Sequence, residues 1–107
     1  MEKIQLTQHS MEKTKERLGL SKKLTEKNAQ KAFEYGLTHA ECKAGLRRYV
    51  DKRFFINANT NNVRIYHRYV YIFCDQKLVT VFPLPHKFCD LADKLQRQKE
   101  GLRNEDA

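Results

Sequence analysis

Branched and aromatic residues crowd into one stretch of the chain, 61–85, which reads NNVRIYHRYVYIFCDQKLVTVFPLP. Runs at 63–66, 69–74 and 78–82 are separated by two short polar breaks, His67-Arg68 and Asp75-Gln76-Lys77. Val, Ile, Tyr, Phe and Thr suit a pleated, half-buried surface. Breaks this short join antiparallel neighbours, because a parallel crossover takes roughly a dozen residues or more. The pattern therefore predicts a three-stranded meander. Pro83 and Pro85 end it, having no N–H to donate to a ladder. Phe54-Phe55-Ile56 reads either as a fourth, edge strand or as an apolar plug. The loop 57–62, NANTNN, carries turn chemistry, since Asn tolerates left-handed backbone and bonds its own main chain.

Outside this stretch the apolar spacing is helical. Residues 1–6 read as an extended or disordered lead. A first helix starts at Thr7 or Ser10 and runs to about Leu18, where Gly19 ends it. A second, capped by Ser21, covers 22–35, with Leu24, Asn28, Ala32 and Tyr35 on one face and Ala29 and Phe33 widening it. Gly36 stops it. Thr38 and Glu41 then form a capping box opening a third helix over 39–52, with Cys42, Leu46, Tyr49 and Val50 on its apolar side. A fourth helix, 86–99, places Phe88, Leu91, Ala92 and Leu95 together. The expected class is α+β: three N-terminal helices, a three- or four-stranded antiparallel meander and a C-terminal helix, with the helices packed on one face of the sheet.

At 107 residues the chain is expected to form a single domain, 1–107, with 1–6 and 100–107 frayed. The formal charge of +8, from 21 Lys and Arg against 13 Asp and Glu, points to a polyanionic partner. Three widely spaced cysteines, Cys42, Cys74 and Cys89, contain no Cys-x-x-Cys and read as small hydrophobes in a reducing compartment. The N-terminus lacks a signal-type apolar run, and no segment approaches the ~20 apolar residues of a membrane span. A cytoplasmic protein without a membrane partner is expected. His9, His39, His67 and His86 are dispersed, with no HExxH or H-x-H spacing, so neither a metal nor another cofactor is expected. Nothing in the pattern sets an oligomeric state.

Two constellations point to nucleic acid. Strand alternation puts Val63, Ile65, Val70, Ile72 and Cys74 on an aliphatic face. The opposite face then carries Arg64, Tyr66, Tyr69, Tyr71, Phe73 and Thr80, a surface suited to stacking bases and holding phosphate. The same alternation also arises from ordinary strand propensity, with a second helix covering the aromatics, and the lack of an RNP-type consensus favours that account. Lys43, Arg47, Arg48, Lys52 and Arg53 make the third helix basic enough to track a phosphate backbone. Metal-free cleavage of RNA would need a base for the 2′-hydroxyl, an acid for the leaving oxygen and cations for the developing charge. His, Arg, Lys and Tyr are all present, yet no compact acid–base pair appears at a telling spacing.

The segment HSMEKTKERLG at 9–19 resembles the opening helix of many small phage and mobile-element reading frames, mostly of unassigned function. NNVRIY at 61–66, with YIF at 71–73 and LVTV at 78–81, is similar to their sheet, and AFEYGLTHAE at 32–41 lies between. The helices-then-meander order resembles the RelE, barnase and colicin-nuclease class of RNA-cleaving domains. That resemblance implies a metal-independent ribonuclease or toxin with His9, Arg17, Arg64 and Thr80 in its cleft, although no barnase-like Glu, Arg and His set can be placed. A phage origin implies a host-cytosol inhibitor of a nucleic-acid-directed system, its partner RNA or a nucleoprotein effector such as a CRISPR nuclease. The inhibitor reading is preferred because binding requires only cations and aromatics. Arg64, Tyr66 and Tyr71, with the basic third helix, are its expected contacts.

Overall fold

In a computed structural model, residues 4–6, 19, 21–56 and 62–106 are described, with side chains omitted at 22, 53–56 and 102–106. The three β-rich runs form strands β2 (Asn62–Tyr66), β3 (Tyr69–Cys74) and β4 (Lys77–Pro83). They pair antiparallel in sequence order, with Arg64 opposite Tyr71 and Tyr71 opposite Val81. The sheet is nevertheless not a simple meander. A short strand β1 (Gln5–Leu6) pairs in parallel with β4, giving a mixed four-stranded sheet ordered β1-β4-β3-β2. Ile4 beside it is buried, and its N–H donates to the Gln30 side chain at 2.9 Å. The lead is thus held by distant partners, a constraint invisible in six local residues. Phe54-Phe55-Ile56, read as a strand or a plug, is helical backbone instead.

The expected order of three N-terminal helices before the strands is also corrected. Helices α1 (Lys22–Tyr35) and α2 (Ala44–Ile56) follow β1, the three strands come next, and α3 (His86–Asp106) closes the chain. The helix anticipated over 7–18 lies outside the described residues. The third helix does not start at the capping box. Thr38 and Glu41 bracket a single 3-10 turn, His39–Glu41, and α2 begins only after Cys42 and Lys43. Ala44 marks the restart with a left-handed φ of 54°. The capping box satisfies its own turn, so a second nucleation was needed beyond it.

Helices cover both faces of the sheet, not one. On the aliphatic face, Cys42, Leu46 and Val50 meet Cys89, Ala92 and Leu95 of α3 over Val63, Ile65, Val70 and Ile72. On the aromatic face, Ala29 and Ala32 of α1 lie against Tyr66, Tyr71, Phe73, Leu78 and Val81. Two alanines let the helix axis approach large rings, and Phe33 meets Phe73 edge to face at 5.2 Å between centroids. The buried stripe of α1 is rotated from the expected one. Thr25 is inside, its hydroxyl donating to the Ser21 carbonyl at 2.8 Å, while Leu24 is 48% exposed.

A bulge in β4 breaks the alternation that the residues suggest. Leu78 pairs with Phe73 and Thr80 with Ile72, leaving Val79 as the extra residue. From there on the side chains swap faces, so Thr80 falls on the aliphatic side and Val81 on the aromatic side. The β2–β3 turn, His67-Arg68, has φ of 48° and 69°, as a two-residue hairpin of the primed type requires. Two ordinary residues hold this geometry through side-chain contacts, one local and one long-range. His67 stacks on Tyr66 at 3.9 Å, and Arg68 donates to Asp93 from Nε at 3.0 Å and Nη2 at 2.7 Å.

Two substitutions test this account. Val70 is 0% exposed at the centre of the aliphatic face. Val70→Asp buries an unpaired carboxylate at a cost on the order of 4–5 kcal/mol, a large part of a small domain's stability. The expected outcome is loss of the cooperative thermal transition. Ala44→Gly removes the Cβ conflict of a left-handed residue on an exposed turn and should raise stability by roughly 0.5–1 kcal/mol in chemical denaturation.

Candidate nucleic-acid interface

The residues anticipated from the sequence are dispersed by the fold. His9 and Arg17 lie outside the described residues, and Arg53 sits on α2 where only backbone is described. Tyr66 and Tyr71 do not form an open stacking surface. They are 9% and 4% exposed beneath α1, and burial pushes the Tyr71 phenol up to about 12. Arg64 shares that face and is half-buried. Its Nε donates to the Phe33 carbonyl at 3.4 Å, Nη1 donates to the Asn62 side chain, and the guanidinium lies 5.5 Å from the Phe33 ring centroid. Desolvation lowers its pKa below the ordinary value. Arg64 therefore ties the end of α1 to β2. Thr80, opposite Ile72, is on the other face, so the fold does not bring Arg64 and Thr80 into one cleft.

The α2 surface retains its cations. Lys43 is exposed just before the helix, and Arg48 and Lys52 are exposed one turn apart along it. Arg47 turns toward Asp51, with Nε 3.6 Å from Oδ1. Asp51 also bonds the His39 imidazole, which holds its carboxyl below the usual carboxylate range. Arg48 and Lys52 make no ion pair among the described residues. Cys42, near this cluster, is a buried thiol. Burial raises its thiol to about 11, and it donates to the Thr38 carbonyl at 3.3 Å.

Two features escaped the linear reading. The first is the seam between α2 and the start of α3. Tyr49 and Phe88 meet there at 5.1 Å between centroids, both rings half-buried. Gly45 permits this approach, since a Cβ at that position would stand 3.3 Å from the Phe88 ring. Lys87 lies over the Phe88 ring at 5.1 Å. Exposed Arg48 and Lys52 stand one residue before and three after Tyr49 on α2. The pairing joins residues 39 apart in sequence and leaves no local signature. The second is a stripe of exposed lysines on α1, Lys23, Lys27 and Lys31, on the far side of the sheet. Its i, i+4, i+8 spacing was legible.

Other charges serve the framework. Lys99 Nζ donates to the Gly36 carbonyl and to Glu41 Oε1, both at 2.8 Å, and Gln96 donates to the Tyr35 carbonyl at 2.8 Å. Partial burial alone would raise the Glu41 pKa, but the bond to Lys99 and the Thr38 N–H outweigh it, and the net shift is downward. Among the described residues, no His, Cys, Asp and Glu side chains converge in a group able to hold a metal ion, and no helix is long and apolar enough to cross a membrane.

The lowered carboxyls of Glu41 and Asp51 fix the sign of the pH dependence. The unfolded chain binds their protons more readily, so their stabilisation is complete above the ordinary carboxylate pKa of about 4. It is lost as pH falls from there through the folded-state values. Glu41→Gln should lower the melting temperature at pH 7, and the curves of variant and parent should converge as pH falls below the folded-state value of Glu41.

Comparison with known proteins finds no family model, no curated protein and no solved structure that matches this chain.

Proposed function

We propose that this chain binds RNA or a nucleoprotein through the α2 surface and thereby blocks a host nucleic-acid-directed system, as an anti-CRISPR-like inhibitor does. Lys43, Arg48 and Lys52 supply the contacts, with Arg47 supporting them from its pair with Asp51. The observation that carries the reading is the exposure of Arg48 and Lys52 without an ion-pair partner among the described residues, in a chain of charge +8. Displacing condensed counterions from a polyanion rewards cations of this kind. The origin among small phage reading frames belongs to the same proposal, resting on the likeness of 9–19, 32–41, 61–66, 71–73 and 78–81 to such frames.

A metal-independent ribonuclease is the second reading. One observation favours it: the His39 imidazole is oriented by Asp51 beside the Arg47 guanidinium. A carboxylate-held imidazole beside a cation is part of what phosphodiester cleavage needs. A second proton donor for the leaving oxygen is not apparent among the described residues.

A single set of binding measurements on a single-stranded RNA addresses both readings. Neutralising three to four phosphates should weaken binding about 20- to 50-fold between 50 and 200 mM salt. Arg48→Gln with Lys52→Gln should reduce the logarithmic salt slope by about 1.4. Undetectable binding at 50 mM salt would overturn the RNA reading in favour of an acidic protein surface. RNA recovered with cyclic-phosphate ends in the presence of chelator, and intact with His39→Ala, would replace the inhibitor with the nuclease.

A further inference from the structure

We infer that the α2–α3 seam takes single-stranded nucleic acid, holding one base against Tyr49 and Phe88 and the adjoining phosphates on Arg48, Lys52 and Lys87. This rests on the proposed polyanion-binding role and names the class of strand it selects. The sheet's aromatic face cannot serve, since α1 covers Tyr66, Tyr71 and Phe73. The seam offers what that face does not: two half-buried rings in contact with each other, with exposed cations beside them in sequence. A cation already sits on it, Lys87 over the Phe88 ring. An incoming base competes for the same π surface and releases Lys87 to a phosphate.

The spacing favours one strand. Arg48 and Lys52 are one helical turn apart, roughly 6 Å along the axis, so they meet neighbouring phosphates of a single backbone. A duplex buries its base faces in the stack and presents only edges and phosphates, so the rings would contribute nothing to it. The α1 stripe of Lys23, Lys27 and Lys31 provides an internal contrast. It carries comparable charge, but the ring pair on that helix, Phe33 with Phe73, includes a ring with no exposure, whereas Tyr49 and Phe88 are both partly exposed. A polyanion held there would be bound without regard to strandedness.

The test uses the full chain and two probes of equal phosphate number, an oligouridylate and an RNA duplex, compared by fluorescence anisotropy at fixed salt. The expected result is roughly tenfold tighter binding of the single strand. Phe88→Leu should cut that preference about fivefold while leaving duplex affinity and the salt slope unchanged. Gln at Lys23, Lys27 and Lys31 should leave the preference intact. Photo-crosslinking with 4-thiouridine in the oligouridylate gives a readout independent of any variant's folding, with adducts expected on Tyr49 or Phe88. Equal affinity for the two probes, or adducts confined to α1, would overturn the inference and leave polyanion binding standing. Loss of binding to both probes at low salt would overturn the two together.

Discussion

Strand β3 has no exposed side in its middle. From Val70 to Phe73, successive side chains point to opposite faces, yet their exposures are 0%, 4%, 1% and 0%. Strands on both edges satisfy its backbone, so both of its faces had to find cover. Bulky rings on one face, Tyr71 and Phe73, accept a helix with a smooth alanine surface, and α1 supplies Ala29 and Ala32. The branched residues on the other, Val70 and Ile72, pack beneath two helices contributing Leu46, Val50, Ala92 and Leu95. The layered arrangement follows from this one doubly covered strand, and it leaves helix surfaces to meet a partner.

The junction after α1 shows how cations are drawn into the framework. Gly36 lies so near its neighbours that a Cβ would stand 2.6 Å from the Ala32 carbonyl and 3.1 Å from that of Ile65. That closeness lets Leu37 exchange bonds with Ile65 at 2.8 and 3.0 Å, shielding the edge of β2. Arg64, Gln96 and Lys99 then secure the carbonyls left at the helix end. A chain of charge +8 therefore has fewer cations for binding than its composition implies. Arg64, Arg68 and Lys99 are engaged internally, whereas Lys43, Arg48, Lys52 and Lys87 face outward.

Backbone strain is concentrated at turns. Ala44, His67, Arg68 and Asp75 all have positive φ without being glycine, a conformation that L side chains resist. At His67-Arg68 the stack on Tyr66 and the fork onto Asp93 offset that cost. The turn is thereby locked to α3, which places the hairpin against the same helix whose first turn builds the Tyr49–Phe88 seam.

Local chemistry in the sequence determined the three antiparallel strands, the Ser21 cap, the bounds of α1 and the start of α3 after Pro85. Each depends on neighbours a few residues away: breaks too short for a crossover, a hydroxyl reaching an amide three positions on, a proline without a donor. The tertiary structure alone decided the parallel docking of β1, the bulge at Val79 and which helix covers the aromatic face. Those outcomes were settled by competition for buried surface between segments dozens of residues apart, where hydrophobic periodicity says that a face is buried but not by what. The candidate site divides in the same way. The basic residues of 43–53 were legible as a run, because their spacing is local, whereas the start of the helix after Lys43 and the turning of Arg47 toward Asp51 were not. A helix over Tyr66 and Tyr71 was the account the alternation favoured, but the identity of that helix, the internal role of Arg64 and the meeting of Tyr49 with Phe88 were not legible, because each depends on which element packs against it.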